Sequence, residues 1–119
     1  MTSETIVSKV MQAADDKKAL DLIAIQMKEA SLIADYFVVC HGNSEKQVQA
    51  IAKEVKKVAE ENEIEVKRVE GYQQARWILV DLGDVIVHIF HRDERSYYNL
   101  EKLWGDAPTY RIHDFIKEG

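Results

Sequence analysis

Arg76-Trp-Ile-Leu-Val-Asp-Leu-Gly-Asp-Val-Ile-Val-His-Ile-Phe90 is the stretch that decides the fold. Ten of its fifteen residues are Val, Ile, Leu, Phe or Trp, which suits two paired strands buried on at least one face, and Gly83 marks the turn between them. With Asp81 opposite Asp84, the residues Ile78, Val80, Val85, Val87 and Ile89 share one side of the hairpin. Trp77, Leu79, Asp81, Asp84, Ile86 and His88 share the other. The first side reads as core. The second mixes aromatic, aliphatic and acidic groups, a mixture found where a surface recognises a partner. Leu82 fits this register poorly, because two-residue hairpin turns need positive φ and prefer Asn or Gly. A three-residue loop would shift the register by one and dissolve the partition.

Working outward, Asp93-Glu94 starts a long helix that carries Tyr97, Tyr98, Leu100, Glu101 and Trp104. Gly105 suits the left-handed position beyond a helix end, and Pro108 forces Ala107 out of helical geometry, so the helix closes there. Residues 106–119 are a tail, either a short helix or irregular. Upstream of the hairpin, Ile64-Glu-Val-Lys-Arg-Val-Glu70 alternates as a short strand that Gly71 ends. Before it, Ser44 with Gln47 forms a capping box for a helix running to about Asn62, with Val48, Ile51, Ala52, Val55, Val58 and Ala59 as its core stripe. Ala34-Asp-Tyr-Phe-Val-Val-Cys40 is a nearly unbroken apolar run, the pattern of a central strand covered on both faces.

The N-terminal part follows the same logic. Ile6, Val7, Val10, Met11 and Ala14 have helical spacing behind a Ser or Thr cap, and Ala19 to Met27 reads as a strand despite two alanines. The order is α-β-β-α-β-β-β-α, an α/β domain with a mixed sheet of about five strands, spanning residues 1–119 as one unit.

Composition narrows the function. The chain has 119 residues, enough for one core without staples; 46% are hydrophobic and 31% charged, and no apolar run reaches membrane-spanning length. The N-terminus lacks the basic and apolar segments of a secretory signal, and the single cysteine has no internal disulfide partner, which points to a reducing cytoplasm. A net charge of −5 opposes nonspecific adsorption to nucleic acid and favours a basic partner.

Little in the sequence has the pattern of catalytic chemistry. Gly42-Asn-Ser44 lies between a strand and a helix, where backbone N–H groups can face a phosphate, but it lacks the Walker lysine and the GxGxxG spacing, and capping alone explains it. Asp15, Asp16 and Asp21, or Asp81 and Asp84, are carboxylates near helix ends and turns, where Asp is common for local reasons. Histidines stand at 41, 88, 91 and 113, and His88 and His91, three apart on a strand, point to opposite sides and do not chelate one ion. Cys40 reads as packing. Tyr97, Leu100 and Trp104 have the helical spacing of a core stripe, whereas Trp77 rimmed by Asp81, Asp84 and Glu101 has the make-up of a binding hot spot.

Taken in order, Ala34-Asp-Tyr-Phe-Val-Val39, Gly42-Asn-Ser44 with Gln47-Val48, Glu70-Gly71, Trp77 with Leu79 and Asp81, Asp84-Val-Ile-Val-His88 with Phe90, and Arg95-Ser-Tyr-Tyr-Asn-Leu-Glu-Lys-Leu-Trp104 resemble the ribosomal silencing factor family, RsfS, also called Iojap. The likeness covers roughly residues 3 to 107. It departs at Leu82, where an aromatic is frequent, and the tail is not diagnostic. The resemblance implies a domain related to the nucleotidyltransferase fold without its catalytic acids, and hence a non-enzyme with no cofactor and no metal. It implies docking on the large ribosomal subunit, on the fourteenth protein of that series, so that the small subunit is kept from joining and translation is repressed when nutrients are scarce. A link to large-subunit assembly and a homodimer in the free state, docking through one protomer, are implied too, with no membrane and at most peripheral contact with ribosomal RNA.

On that resemblance the partner-binding residues are Trp77, Leu79, Asp81, Tyr98, Leu100, Glu101 and Trp104. Trp77 is expected as a buried anchor, Asp81 and Glu101 as acidic contacts for basic ribosomal side chains, and Tyr98 as an amphipathic contact at the rim. Leu79 and Leu100 are contacts or support packing, and Trp104 is partly core. Two rivals belong to other classes. A nucleotidyltransferase-like enzyme would show magnesium-dependent nucleotide turnover lost with Asp81 or Asp84, and an RNA-binding module would hold naked ribosomal RNA with steep salt dependence.

Overall fold

The computed structural model describes residues 1–27, 34–95 and 107–115. Helix α1 spans Ser3–Asp16, with the Thr2 hydroxyl accepting from the Thr5 N–H as N-cap and Glu4 in the first turn. Its stripe Ile6, Val7, Val10, Met11 and Ala14 is buried, joined by Ala13. Strand β1 (Leu20–Gln26) and strand β2 (Tyr36–Gly42) pair antiparallel, with a bulge between Leu20 and Ile23. Helix α2 (Glu45–Glu61) starts at Ser44, whose hydroxyl accepts from the Gln47 N–H at 3.1 Å. The Gln47 amide reaches back to the Asn43 N–H rather than to that of Ser44, and its other end donates to the Lys18 carbonyl at 2.9 Å. The box therefore also ties α2 to the end of α1. Of the expected stripe, Val58 is only partly buried.

Strands β3 (Arg68–Glu70), β4 (Trp77–Asp81) and β5 (Val85–His91) follow. Strand β3 is shorter than its alternation over residues 64–70 suggests. The Ile64 N–H is drawn back to the Ala59 carbonyl at 2.8 Å to close α2, so ladder bonding to β4 begins only at Lys67.

The hairpin register differs from the expected one. Asp81 lies opposite Ile86, not Asp84, and the Leu82 N–H donates to the Val85 carbonyl at 2.9 Å, leaving Gly83 and Asp84 as the two turn residues. Gly83 has φ +91° while Asp84 stays at negative φ, the pattern of a II′ turn with Gly at its first central position. Moving the turn by one residue keeps the parity of every strand residue, so the partition into faces survives with two exceptions. Leu82 leaves the turn and is buried with the core, and Asp84 leaves the second face for the exposed turn.

The sheet has six strands in the order β3-β4-β5-β2-β1-β6, not about five. Only β2 and β5 run parallel; the other pairs are antiparallel. The added strand comes from the expected tail: β6 (Thr109–Arg111) pairs with Ile23 to Ile25 of β1, and the Tyr110 hydroxyl donates to the Gln26 side chain at 3.0 Å. A helix of one turn, α4 (Ile112–Phe115), follows it. Another, α3 (Arg92–Arg95), continues from β5; the rest of the long helix expected from Asp93 to Trp104 lies outside the described residues.

Helices α1 and α2 cover one face of the sheet. Their apolar stripes close over Leu22, Ala24, Val38, Cys40, Ile78, Val80, Leu82, Val85, Val87 and Ile89, so Cys40 is indeed packing. The side chains of alternate parity point to the other face, where Ile23, Ile25, Met27, Val39 and Phe90 form a smaller cluster with Phe37, Trp77 and Ala107 against it.

Candidate protein interface on the second sheet face

Period-two alternation places Trp77, Leu79 and Asp81 of β4 beside Ile86, His88 and Phe90 of β5. The parallel pairing of Phe37 with Ile86 and of Val39 with His88 adds β2 to the same face. The loop from β3 sets where β4 begins. Gly71 sits at φ +79°, and a Cβ there would stand 2.2 Å from the Trp77 carbonyl oxygen, so only glycine lets this loop pass so close to β4.

Trp77 is half-buried. Its ring stacks on Phe90, with centroids 5.1 Å apart and planes 28° from parallel. Its indole N–H donates to Nδ1 of His88 at 3.1 Å. Phe37 meets the His88 ring edge-on at 4.6 Å. Such aromatic contacts add about 0.5–1.5 kcal/mol each beyond simple burial. Phe37, His88 and Phe90 thus join Trp77, none of the three being among the partner-binding residues expected from the sequence. Alternation already put His88 on its side, but Phe37 arrives through a pairing of β2 with β5 that no local pattern announces.

His88 is 5% exposed, the sole charged or polar residue in the buried set of the described residues. An indole N–H only donates, so Nδ1 carries no proton and the ring's proton sits on Nε2. Nε2 is buried and has no hydrogen-bond partner among the described residues. Burial pushes the imidazole pKa down to about 4, so the ring is neutral at pH 7. An unpaired buried donor costs about 1–3 kcal/mol.

Asp81 is less available than an acidic contact would be. One carboxylate oxygen accepts the Gly83 N–H at 2.9 Å, the other lies 3.3 Å from Nε of Arg68 on the opposite strand, and the side chain is 16% exposed. Arg68 also pairs with Glu70 at 2.8 Å. Asp81 is therefore first a clasp for the turn and for β3. Leu79 is half-buried, opposite His88. Tyr98, Leu100, Glu101 and Trp104 lie outside the described residues.

Among the described residues, no three His, Cys, Asp or Glu side chains gather to hold a metal. His91 is half-buried and caps the Asp93 N–H through Nδ1 at 3.2 Å, while His113 is exposed beside Asp114. Among these residues no helix is long and apolar enough to cross a membrane.

Fold and face together define a mixed-sheet α/β domain whose sheet carries, on the side away from α1 and α2, a largely buried aromatic cluster with Trp77 and Phe37 partly exposed at it. The chain belongs to the ribosomal silencing factor family: the family model described as "Ribosomal silencing factor during starvation" matches residues 1–118. It is 63% identical over 116 residues to the ribosomal silencing factor RsfS of Halalkalibacterium halodurans, covering 98% of this chain and 99% of that one. A crystal structure of a Bacillus halodurans protein superposes with a TM-score of 0.82 at 60% identity, over 92% of this chain and 99% of the other. A more distant relative is the mouse "Mitochondrial assembly of ribosomal large subunit protein 1", 32% identical over 92 residues, or 74% of this chain and 40% of that protein.

Proposed function

We propose that this chain represses translation by occlusion. It docks on the large ribosomal subunit, on the fourteenth protein of that series, through the β4–β5 face, and covers a surface that the small subunit needs. A standard interface of about 800 Å² per partner is enough for this. The observation that carries the reading is Trp77: a large aromatic, half-buried and held in place by Phe90 and His88, in a chain whose family is described by ribosome silencing. Trp77 and Leu79 supply apolar contact. Asp81 offers a carboxylate already shared with Arg68, and by the family resemblance Tyr98, Leu100, Glu101 and Trp104 supply further partner contacts. The activity is non-enzymatic, needs no cofactor and belongs in the cytoplasm. The name of the mouse relative supports a further part in large-subunit assembly.

The test is co-sedimentation of the purified protein with isolated large subunits, with small subunits added afterwards, for wild type and Trp77→Ala. Occlusion requires that wild type sediments with large subunits and lowers the yield of joined ribosomes, and that Trp77→Ala fails at both. A wild-type protein that stays in the supernatant ends the docking proposal.

A further inference from the structure

We infer that His88 is a positioning residue of the docking surface, holding the Trp77 indole from within the sheet through the bond from the indole N–H to its Nδ1. The inference rests on docking through Trp77 and deepens it.

The position does not call for a histidine on packing grounds. His88 lies between Leu79 on β4 and Val39 on β5's other neighbour, β2, in the middle of the sheet, where an aliphatic side chain would bury the same surface and leave no polar atom behind. The imidazole instead leaves Nε2 buried with no hydrogen-bond partner among the described residues. What it supplies in return is an acceptor, 3.1 Å from the one polar atom of Trp77. Phe90 stacks against the indole and sets its plane, while Phe37 meets the imidazole edge-on and restrains that ring. The hydrogen bond selects which edge of the indole turns toward His88 and so fixes the orientation of the ring before any partner arrives. A side chain ordered in advance loses less entropy on binding.

His88→Leu removes the acceptor and keeps an apolar side chain of similar size. His88→Asn places Oδ1 near the position of Nδ1 and keeps an acceptor. Three readouts separate positioning from plain structure: the urea midpoint, the solvent exchange rate of the Trp77 indole proton, assigned by its loss in Trp77→Phe, and affinity for isolated large subunits. For His88→Leu we expect a midpoint equal to or above wild type, faster indole exchange, and binding weakened about tenfold, the weight of one neutral hydrogen bond. His88→Asn should restore slow exchange and bring affinity back to within about threefold of wild type. In a Trp77→Phe background, His88→Leu should cause no additional loss. Wild-type affinity in His88→Leu overturns the inference, as does an undiminished loss in the Trp77→Phe background or the failure of both His88 variants to fold. Trp77→Ala reports on the docking itself. If it binds like wild type, the docking reading falls and takes this one with it; if it is weakened while His88→Leu is unaffected, the positioning role alone falls.

Discussion

Trp77 and His88 illustrate how two side chains on one sheet face divide their work. Trp77 keeps part of its surface open, and truncating a true anchor of this kind should cost about 2 kcal/mol or more of binding, roughly a thirtyfold loss of affinity for large subunits. Quantitative sedimentation with Trp77→Ala checks it, and unchanged affinity would remove Trp77 from the interface. His88 makes a separate statement about stability. Its pKa falls from 6.5 to about 4 on folding, so between these values the unfolded chain binds more protons than the folded one. The stability tied to the neutral ring is present above pH 6.5 and is lost as pH falls toward 4, to a total of about 3 kcal/mol. Urea unfolding of wild type and His88→Leu at pH 7 and pH 4.5 should show wild type losing about 2–3 kcal/mol relative to the variant, which has nothing to titrate there. Parallel pH profiles would show that His88 is not the group responsible. The identity of Trp77, His88 and Asp81 on one side was legible in the sequence, because alternation along a strand needs no knowledge of the partner. The bonds of Asp81 to Gly83 and Arg68 were not, since they depend on which strand lies next to which.

The hairpin carries the lesson at the scale of the element. Residue pattern alone puts Leu82 and Gly83 in the turn, whereas the structure uses Gly83 and Asp84, because a II′ turn takes Gly first and because Leu82 is then buried against the core. The two registers make different demands. A core leucine cut to alanine costs about 2–5 kcal/mol, whereas a surface turn residue stays within about 0.5 kcal/mol. Chemical denaturation of Leu82→Ala and Asp84→Ala should therefore show a large loss for the first and little for the second, and the reverse order would restore the original register. Strand β6 shows a different limit. Thr109, Tyr110 and Arg111 are a good strand sequence, but three residues are too few for a periodic signal, and they become a strand only because β1 offers them an open edge.

Across the whole molecule, the net charge of −5 opposes nonspecific contact with nucleic acid, and the proposed docking can be told from RNA binding by its salt dependence. A protein that docks on another protein through a mostly apolar face releases few counterions, so the logarithm of its binding constant should vary only weakly with the logarithm of salt concentration. An RNA binder covering 6–10 phosphates loses about 10³–10⁵ in affinity between 50 and 200 mM salt. Sedimentation across that range, with intact large subunits and with ribosomal RNA stripped of protein, distinguishes the two. A steep slope with equal binding to bare RNA would overturn the protein-docking proposal. Local patterns in the chain specify α1 and α2 with their caps and most of their buried stripes, the faces of β1, β2, β4 and β5, and the motif series that marks the family, because each of these is written in neighbouring residues through a period or a cap. Only the tertiary structure decided the hairpin register, the sixth strand, and the parallel pairing of β2 with β5 that brings Phe37 to His88. These depend on residues far apart in the chain, and which of them meet is settled by the burial of whole faces together.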